Sequence, residues 1–160
     1  MASAMRAWQY TFATNGLENS LQLASAPMPV PKPGQHLVKV IYAALNPADY
    51  KLPEKRLISY LLIPKPAVPG LDFCGRIIEP AAGSGVQQGR LIFGFPCKTP
   101  KDPGSLREYA TVDADACVDV PKGWEGRLKE VAGLALAGEA AWGSIVPFVK
   151  EKGGDKVFVR

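Results

Sequence analysis

Residues 46–51 read NPADYK and place an amide, a carboxylate, a phenol and an amine within six consecutive positions. They follow an alternating run that begins at Val38 and predicts a β-strand. Pro47 has no N–H for a sheet hydrogen bond and biases Asn46 away from helix, so the strand must stop and turn there. Loops at strand ends often carry binding and catalytic groups, and we therefore predict that the functional site includes this loop.

Most of the elements that must position this loop are strands. Fifteen prolines and sixteen glycines in 160 residues favour short strands and irregular loops over a helical bundle. Alternation of apolar and polar residues predicts strands over 5–12, 20–26, 38–45, 71–80, 90–95 and 106–113. Their order predicts a β-rich barrel or sandwich, with a polar loop over 98–105.

Helical spacing of apolar residues occurs in two places. Residues 53–63 predict a short helix. Three of its apolar residues share one face: Leu57, Tyr60 and Leu61. Residues 127–150 predict two consecutive helices that break near Gly138.

The last five residues, KVFVR over 156–160, predict a new strand, which needs partners that the sequence does not supply.

The composition is that of a soluble globular protein, with 47% hydrophobic and 21% charged residues. The formal charge of +4 is mild, and basic residues are interspersed with acidic ones, which argues against a nucleic-acid surface. No run has the length and apolarity of a membrane span, and no signal-peptide pattern opens the sequence. We therefore expect a cytoplasmic protein with a small-molecule substrate and with no nucleic-acid or membrane partner; a homo-oligomer is an open alternative.

The metal-binding residue types are few and scattered. Cys74, Cys97 and Cys117 are odd in number and widely spaced, which fits neither a disulfide framework nor the paired cysteines of a zinc site. We expect reduced structural cysteines. His36 is the single histidine and has no neighbouring ligand, so we expect a solvent-facing polar side chain there. The sequence predicts no metal site.

Six segments in order carry a family resemblance: MRAWQYTF, VKVIYAALNPADYK, PGLDFCGRIIE, GSLREYATVD, ALAGEAAW and GGDKVFV. Together they resemble the amino-terminal half of the medium-chain dehydrogenase/reductases, the superfamily of zinc-type alcohol dehydrogenases, and within it the quinone oxidoreductase and enoyl reductase branch. The resemblance implies a GroES-like, partly open β-barrel as the catalytic domain over residues 1–126. It implies that residues 127–160 form a helical junction and the first strand of a Rossmann domain whose glycine-rich loop is absent.

Zinc-binding relatives carry a cysteine where this chain has Asn46 and a histidine where it has Leu71, next to an acid at the position of Asp72. An amide and an alkyl group cannot replace a thiolate and an imidazole as zinc ligands. The four clustered cysteines of a structural zinc site are missing from the sequence as well. The resemblance therefore implies a zinc-independent oxidoreductase.

Without zinc, the resemblance implies NADPH-dependent hydride transfer to a quinone or to a double bond conjugated with a carbonyl. Hydride delivered to the β-carbon pushes negative charge onto the carbonyl oxygen, which then needs a donor or a cation. Lys51 is the candidate for this catalytic role and for cofactor contact; its alternative is a surface lysine beside a strand. Tyr50 is the second catalytic candidate, and its alternative role is packing.

Asn46 is the main cofactor-binding candidate. Its amide donates and accepts at once, which suits a nicotinamide carboxamide, a ribose hydroxyl or a substrate oxygen, whereas the alternative is turn chemistry before Pro47. Trp142 would shape the pocket mouth beside the cofactor, or would be a core aromatic. We expect Asp49 and Asp72 to be structural. Similar proteins usually have a threonine, whose hydroxyl helps to hold the nicotinamide, where this chain has Ala140.

The sequence leaves three functional hypotheses. In the first, the chain is the catalytic half of a reductase, and its reading frame continues into a glycine-rich loop. In the second, it is a stand-alone domain that acts as a non-redox catalyst or a small-molecule binder. In the third, it is an inactive remnant. The natural substrate stays open among quinones, enals, enones and polyketide intermediates.

Overall fold

The structure is a computed structural model that describes residues 4–152, so the strand predicted over 156–160 lies outside the described residues. The strands are β1 Ala4–Gln9, β2 Gln22–Pro27, β3 Gln35–Ala44, β4 Asp72–Glu79, β5 Leu91–Gly94, β6 Tyr109–Asp113 and β7 Cys117–Asp119. The helices are α1 Pro47–Glu54, α2 Arg56–Leu62, α3 Leu128–Ala132 and α4 Ala135–Lys152. The prediction of a mainly β chain with a few helices is confirmed.

The strands form two antiparallel sheets. β1 and β2 make a two-stranded sheet, and the larger sheet has the strand order β6-β3-β4-β5-β7, with β4 at its centre. The two sheets are joined where the segment before β6 runs beside β1, because the N–H of Trp8 donates to the carbonyl of Leu106 at 2.8 Å. The result is the partly open barrel that the sequence predicted.

The main hydrophobic core lies on one face of the larger sheet. Its members come from β3, β4, β5 and β6, and each is at most 2% exposed: Val38, Phe73, Ile77, Ile92 and Val112. Burying a side chain of this kind contributes about 1.5–3 kcal/mol to stability. A one-residue slip of β3 would turn its buried side chains to the opposite face, so the core fixes the register of β3 and the place where it ends.

Where the sequence predicts a loop after β3, the structure has the helix α1. Asn46 is its N-cap residue, with an extended backbone (φ −114°, ψ 162°), and Pro47 occupies the first helical position, where its missing N–H costs nothing. The Asp49 carboxylate accepts the N–H of Asn46 at 2.7 Å. The strand stops before Asn46 as predicted, but the prediction of a loop was wrong because Pro47 and Asp49 together start a helix.

α2 lies within the helix that the sequence predicted over 53–63. Its apolar residues are turned to the surface: Leu57, Tyr60 and Leu61 are 72%, 68% and 67% exposed. The shared face exists, therefore, but it does not pack against the described part of the chain.

α3 and α4 are the two helices predicted after residue 127. The predicted break near Gly138 was wrong: α3 closes at Gly133, and the N–H of Gly138 donates to the carbonyl of Leu134 at 2.8 Å as part of the α4 region. α3 packs on the larger sheet, where Val131 lies in one buried cluster with Cys74 of β4.

The domain boundary predicted at residue 126 stays a prediction. No helix within residues 4–152 has the length and apolarity to cross a membrane.

His36 is buried rather than solvent-facing, so this prediction was wrong. It is 1% exposed, and its Nδ1 accepts the N–H of Ala81 at 2.8 Å. Side chains alternate between the faces of a strand, and His36 therefore shares the inward face of β3 with Val38. Burial lowers the pKa of His36 and keeps the imidazole neutral in the fold.

The stability of the fold should therefore depend on the protonation of His36. The folded pKa lies below the unfolded value of 6.5, so the unfolded chain gains a proton first as the pH falls. Neutral His36 contributes to the free energy of unfolding above about pH 6.5, and this contribution is lost as the pH falls through the folded pKa of His36. We expect urea unfolding to show a smaller free energy of unfolding at about pH 5.5 than at about pH 7.5.

The control is His36→Asn, whose amide oxygen can accept the same N–H but does not titrate in this range. This variant should lose most of the difference between the two pH values. An unchanged difference in His36→Asn would show that His36 does not cause it.

Asp49 ties α1 to the segment that leads into β4. Its Oδ1 accepts the N–H of Gly70 at 2.9 Å while its Oδ2 holds Asn46. Gly70 has a φ of +111°, and a Cβ at this position would collide with the hydroxyl of Ser105, so only glycine fits there. The structural role predicted for Asp49, as an acceptor of backbone hydrogen bonds, is confirmed.

Asp49→Asn should destabilise the fold, because both carboxylate oxygens face N–H groups and an amide must turn its own NH₂ toward one of them. We expect a loss of about 2 kcal/mol in the free energy of unfolding, measured by urea denaturation. The matched control is Glu54→Gln at the exposed end of the same helix, where an amide oxygen can still accept the N–H of Leu17 at 3.4 Å, so stability should change by less than about 0.5 kcal/mol. Equal effects of the two substitutions would contradict this role of Asp49.

Candidate functional site

A buried carboxylate joins four elements at the end of β3. Asp72, the first residue of β4, is 0% exposed. Its Oδ2 accepts the side-chain N–H of Asn46 at 2.9 Å, and its Oδ1 accepts the backbone N–H of Leu136 in the first turn of α4 at 3.2 Å. A carboxylate at this end of a helix is favoured by the unpaired N–H groups there. Asp72 therefore holds β3, α1 and α4 together on β4.

This contact determines how the Asn46 amide is oriented. The Asp72 carboxylate only accepts hydrogen bonds, so the NH₂ of Asn46 must face it. The N–H of Asp49 donates to the backbone carbonyl of Asn46 at 2.9 Å and also faces the side-chain oxygen of Asn46 in a capping box, although without the geometry of a full hydrogen bond. Asn46 is half-buried, and its side-chain oxygen is the atom with remaining capacity to accept a hydrogen bond.

Two buried acids thus lie close to Asn46. Burial raises the pKa of Asp72, although the hydrogen bonds from Asn46 and Leu136 act in the opposite direction, and the charge of Asp49 raises it further. Burial likewise raises the pKa of Asp49 against the backbone N–H groups that lower it. The hydrogen bonds of Asn46 to both acids compensate part of the cost of burying them.

Tyr50 and Lys51 lie on the exposed side of α1. Tyr50 is 42% exposed, and Lys51 is exposed as well. Tyr50 lies one helical turn after Asn46, which places the two residues on neighbouring positions of the helix surface. The structure therefore brings Asn46, Tyr50 and Lys51 together on one short element. The catalytic and cofactor roles assigned to them stay predictions.

Trp142 lies on α4 and is 70% exposed, so the alternative of a core aromatic was wrong. The helical spacing that suggested burial is present, but this face of α4 is not covered by the described residues. The indole is accessible to a ligand, and cofactor contact stays a prediction. Ala140 is exposed on the same helix, and its carbonyl accepts the hydroxyl of Ser144 at 2.7 Å.

A cavity of about 330 Å³ lies between α1, the segment 63–71 and the loop 97–104. Its wall is mainly apolar: Leu52, Pro53, Ile63, Pro66, Ala67 and Val68. Sequence reasoning did not predict it; the signal was the proline-rich run over 64–69 opposite the polar loop. Leu71, which the resemblance aligns with a histidine of zinc-binding relatives, also lines the cavity. A space of this size and polarity suits the apolar part of a small ligand.

Cys97 contributes a thiol to the cavity wall. Burial, with a smaller effect of the Asp49 charge, raises the pKa of this thiol to about 11. It is therefore protonated at neutral pH and is a poor nucleophile. All three cysteines are free thiols, as the sequence predicted.

The donor set at this site does not suit zinc. Within the described range, no three His, Cys, Asp or Glu side chains are grouped closely enough to hold a metal ion. The Asn46 amide is bound to Asp72, and Leu71 presents only an alkyl group. Zinc would need thiolate or imidazole donors at these two positions.

Comparison with known proteins places these features in a family. Residues 32–122 match the alcohol dehydrogenase GroES-like domain. The chain is 36% identical over 168 residues to a trans-enoyl reductase of Aspergillus terreus, and the match covers 98% of this chain and 46% of that protein. It is 34% identical over 148 residues to a 2-methylene-furan-3-one reductase of Solanum lycopersicum, covering 88% of this chain and 36% of that protein.

The fold is also shared with a solved structure. The quinone oxidoreductase from Coxiella burnetii superposes with a TM-score of 0.78 at 27% identity, covering 91% of this chain and 45% of that chain. This chain spans about half, or less, of the length of the relatives that it matches. With a GroES-like match over more than half of its residues, the chain belongs to the medium-chain dehydrogenase/reductase superfamily of oxidoreductases, in the enoyl and quinone reductase branch.

Proposed function

We propose that this chain supplies the catalytic half of an NADPH-dependent, zinc-independent reductase that transfers hydride to a quinone or to a double bond conjugated with a carbonyl. The observation that carries the proposal is the Asn46 amide at the start of α1, whose NH₂ is bound to Asp72 and whose oxygen can still accept a hydrogen bond from a ligand. The names of the relatives, a trans-enoyl reductase, a methylene-furanone reductase and a quinone oxidoreductase, support this reaction class.

The residues at the site fit parts of a nicotinamide cofactor. NADPH would supply the hydride when bound. The Asn46 side-chain oxygen can accept a hydrogen bond from a carboxamide N–H or a ribose hydroxyl. The exposed indole of Trp142 offers a planar apolar surface, and Lys51 offers a cation for a phosphate or a carbonyl oxygen.

Lys51 and Tyr50 have the chemistry to stabilise the reduced substrate. Negative charge grows on the carbonyl oxygen as the β-carbon accepts hydride, and an ammonium or phenol donor lowers the energy of that state. A proton must then reach the α-carbon, either from the Tyr50 phenol or from solvent, to give the saturated ketone or thioester. Both side chains lie on the accessible side of α1, where a substrate could reach them.

The cavity beside α1 lies on the other side of the helix from Tyr50 and Lys51, and neither of them lines it. Leu52 and Leu71 line it, and the buried Asp49 holds one end of its wall in place. A cavity built wholly from described residues also favours a second candidate function, a stand-alone binder of small apolar molecules. The two functions differ in their need for NADPH, since the binder would take up its ligand without cofactor.

The first test is a titration of the purified chain with NADPH, followed by calorimetry and by nucleotide fluorescence. The proposal predicts saturable binding that weakens in Asn46→Leu, a variant of similar size that lacks the amide. A folded chain that binds an enone or quinone but not NADPH would support the binder, and a folded chain that binds neither would contradict the binder and the claim that this half alone forms a cofactor site.

Lys51→Met should slow the reduction step while leaving the fold intact. Removal of one donor to a developing oxyanion costs about 10²–10³ in kcat. We expect a loss of this order in enone-dependent NADPH oxidation. The control is Lys55→Met, an exposed lysine after the same helix, which should retain activity within about twofold. Equal activities in the two variants would remove Lys51 from the proposed mechanism.

Ala140→Thr should tighten cofactor binding by restoring the hydroxyl that similar proteins usually have at this position. One added hydrogen bond of about 1 kcal/mol corresponds to roughly a fivefold lower Kd for NADPH. The matched control is Ala141→Thr, the exposed neighbour on α4, which carries the same helix-propensity cost. If both variants change Kd equally, position 140 does not face the nicotinamide.

A further inference from the structure

One carboxylate, that of Asp72, receives hydrogen bonds from two elements that are far apart in sequence. Its Oδ2 is 2.9 Å from the Asn46 amide nitrogen, and its Oδ1 is 3.2 Å from the backbone nitrogen of Leu136. The backbone carbonyl of Asp72 accepts the hydroxyl of Ser105 at 2.7 Å, so its main chain is held as well. Asp72 is fully buried, and water cannot substitute for either donor.

We infer that Asp72 is a positioning residue: it fixes the Asn46 amide with the NH₂ turned to the carboxylate, which leaves only the amide oxygen to meet a ligand, so that position 46 selects a ligand N–H or O–H. This inference rests on the proposed function, because it names how Asn46 would recognise a cofactor or substrate. Asp72 itself touches neither.

The orientation follows from the chemistry of the two groups. An amide flip would bring the Asn46 oxygen against a carboxylate oxygen, and both atoms only accept hydrogen bonds. Hydrogen bonds to an ionised group are stronger than neutral ones, so the observed orientation is strongly preferred. Asp49 holds the backbone N–H of Asn46 at 2.7 Å, which fixes the main chain on the other side. Asn46 is therefore set before any ligand arrives.

The alternative is that Asp72 serves only as the N-terminal cap of α4. A cap would need the contact with Leu136 but not the contact with Asn46. The two roles are separable because different oxygens make the two contacts. A measurement on Asn46 itself therefore decides between them.

The first test is amide hydrogen exchange in the ¹⁵N-labelled chain without ligand. The sequence has three asparagines, so the Asn46 side-chain signal can be assigned by its loss in Asn46→Asp. We expect at least one NH₂ proton of Asn46 to exchange about tenfold or more slowly than those of the exposed Asn15. Ser105→Ala, which leaves the carboxylate untouched, should preserve this protection. Exchange as fast as in Asn15 would overturn the inference.

The second test is a double-mutant cycle with a swapped pair. Asp72→Asn must turn an NH₂ toward Asn46 or Leu136, and Asn46→Asp places two carboxylates in contact, so each single variant should be less stable than the parent. In the double variant Asn46→Asp/Asp72→Asn, the new amide donates to the new carboxylate and still accepts from Leu136. We expect the unfolding equilibrium constant of the double variant to be at least about tenfold more favourable than additivity of the singles predicts.

Additive effects in this cycle would show that Asp72 acts only as a helix cap. If a variant does not fold, the exchange measurement on the parent chain and on Ser105→Ala still decides the question. Neither test uses a cofactor, so failure of the NADPH titration would leave this result standing, while failure of the cycle would not affect the titration.

Discussion

The buried contact between Asp72 and Asn46 is the constraint on which the site depends. It joins the end of β3 to the start of β4 through two side chains, while the second oxygen of Asp72 holds α4 through Leu136. Asp49 adds the link from α1 to Gly70. Two carboxylates are buried here at a cost in desolvation, and their hydrogen bonds to backbone and amide N–H groups offset that cost. The amide oxygen of Asn46 and the exposed donor side chains of Tyr50 and Lys51 therefore lie together at the N-terminal end of α1, which these hydrogen bonds hold in place.

The polar side chains of the site and its apolar cavity lie on different sides of α1. The exposed side of α1 carries Tyr50 and Lys51, and the other side of the same helix lines an apolar cavity with Leu52. None of Asn46, Tyr50 and Lys51 lines this cavity, so in the proposed reductase the carbonyl would bind on the polar side of α1, and the cavity is a separate apolar space. The resemblance aligns the amide at Asn46 and the alkyl group at Leu71 with the ligands of zinc-binding relatives, and the proposed reaction therefore depends on hydrogen-bond donors rather than a Lewis acid.

Much of the fold could be predicted because it depends on local patterns. Alternation located most of the strands, and the resemblance of six segments gave the family and its GroES-like barrel, which the comparisons confirmed. The failures arose where tertiary contacts decide. His36 looked like a surface residue until strand pairing placed it inward, Asn46 to Lys51 looked like a loop until Asp49 capped a helix, and the cavity is formed by segments that sequence does not show to be neighbours. The roles of Asn46, Tyr50, Lys51 and Trp142 depend on a ligand and stay predictions.

The central claim is that hydride reaches the β-carbon of a conjugated carbonyl compound. The most direct measurement is to incubate the protein with NADPH deuterated at the transferable position and an enone, and to locate the deuterium in the product by NMR. The account predicts one deuterium on the β-carbon and none on the carbonyl carbon. Deuterium on the carbonyl carbon, with formation of an alcohol, would show alcohol dehydrogenase chemistry and would contradict it, as would the absence of deuterium from a product made by a protein that binds NADPH.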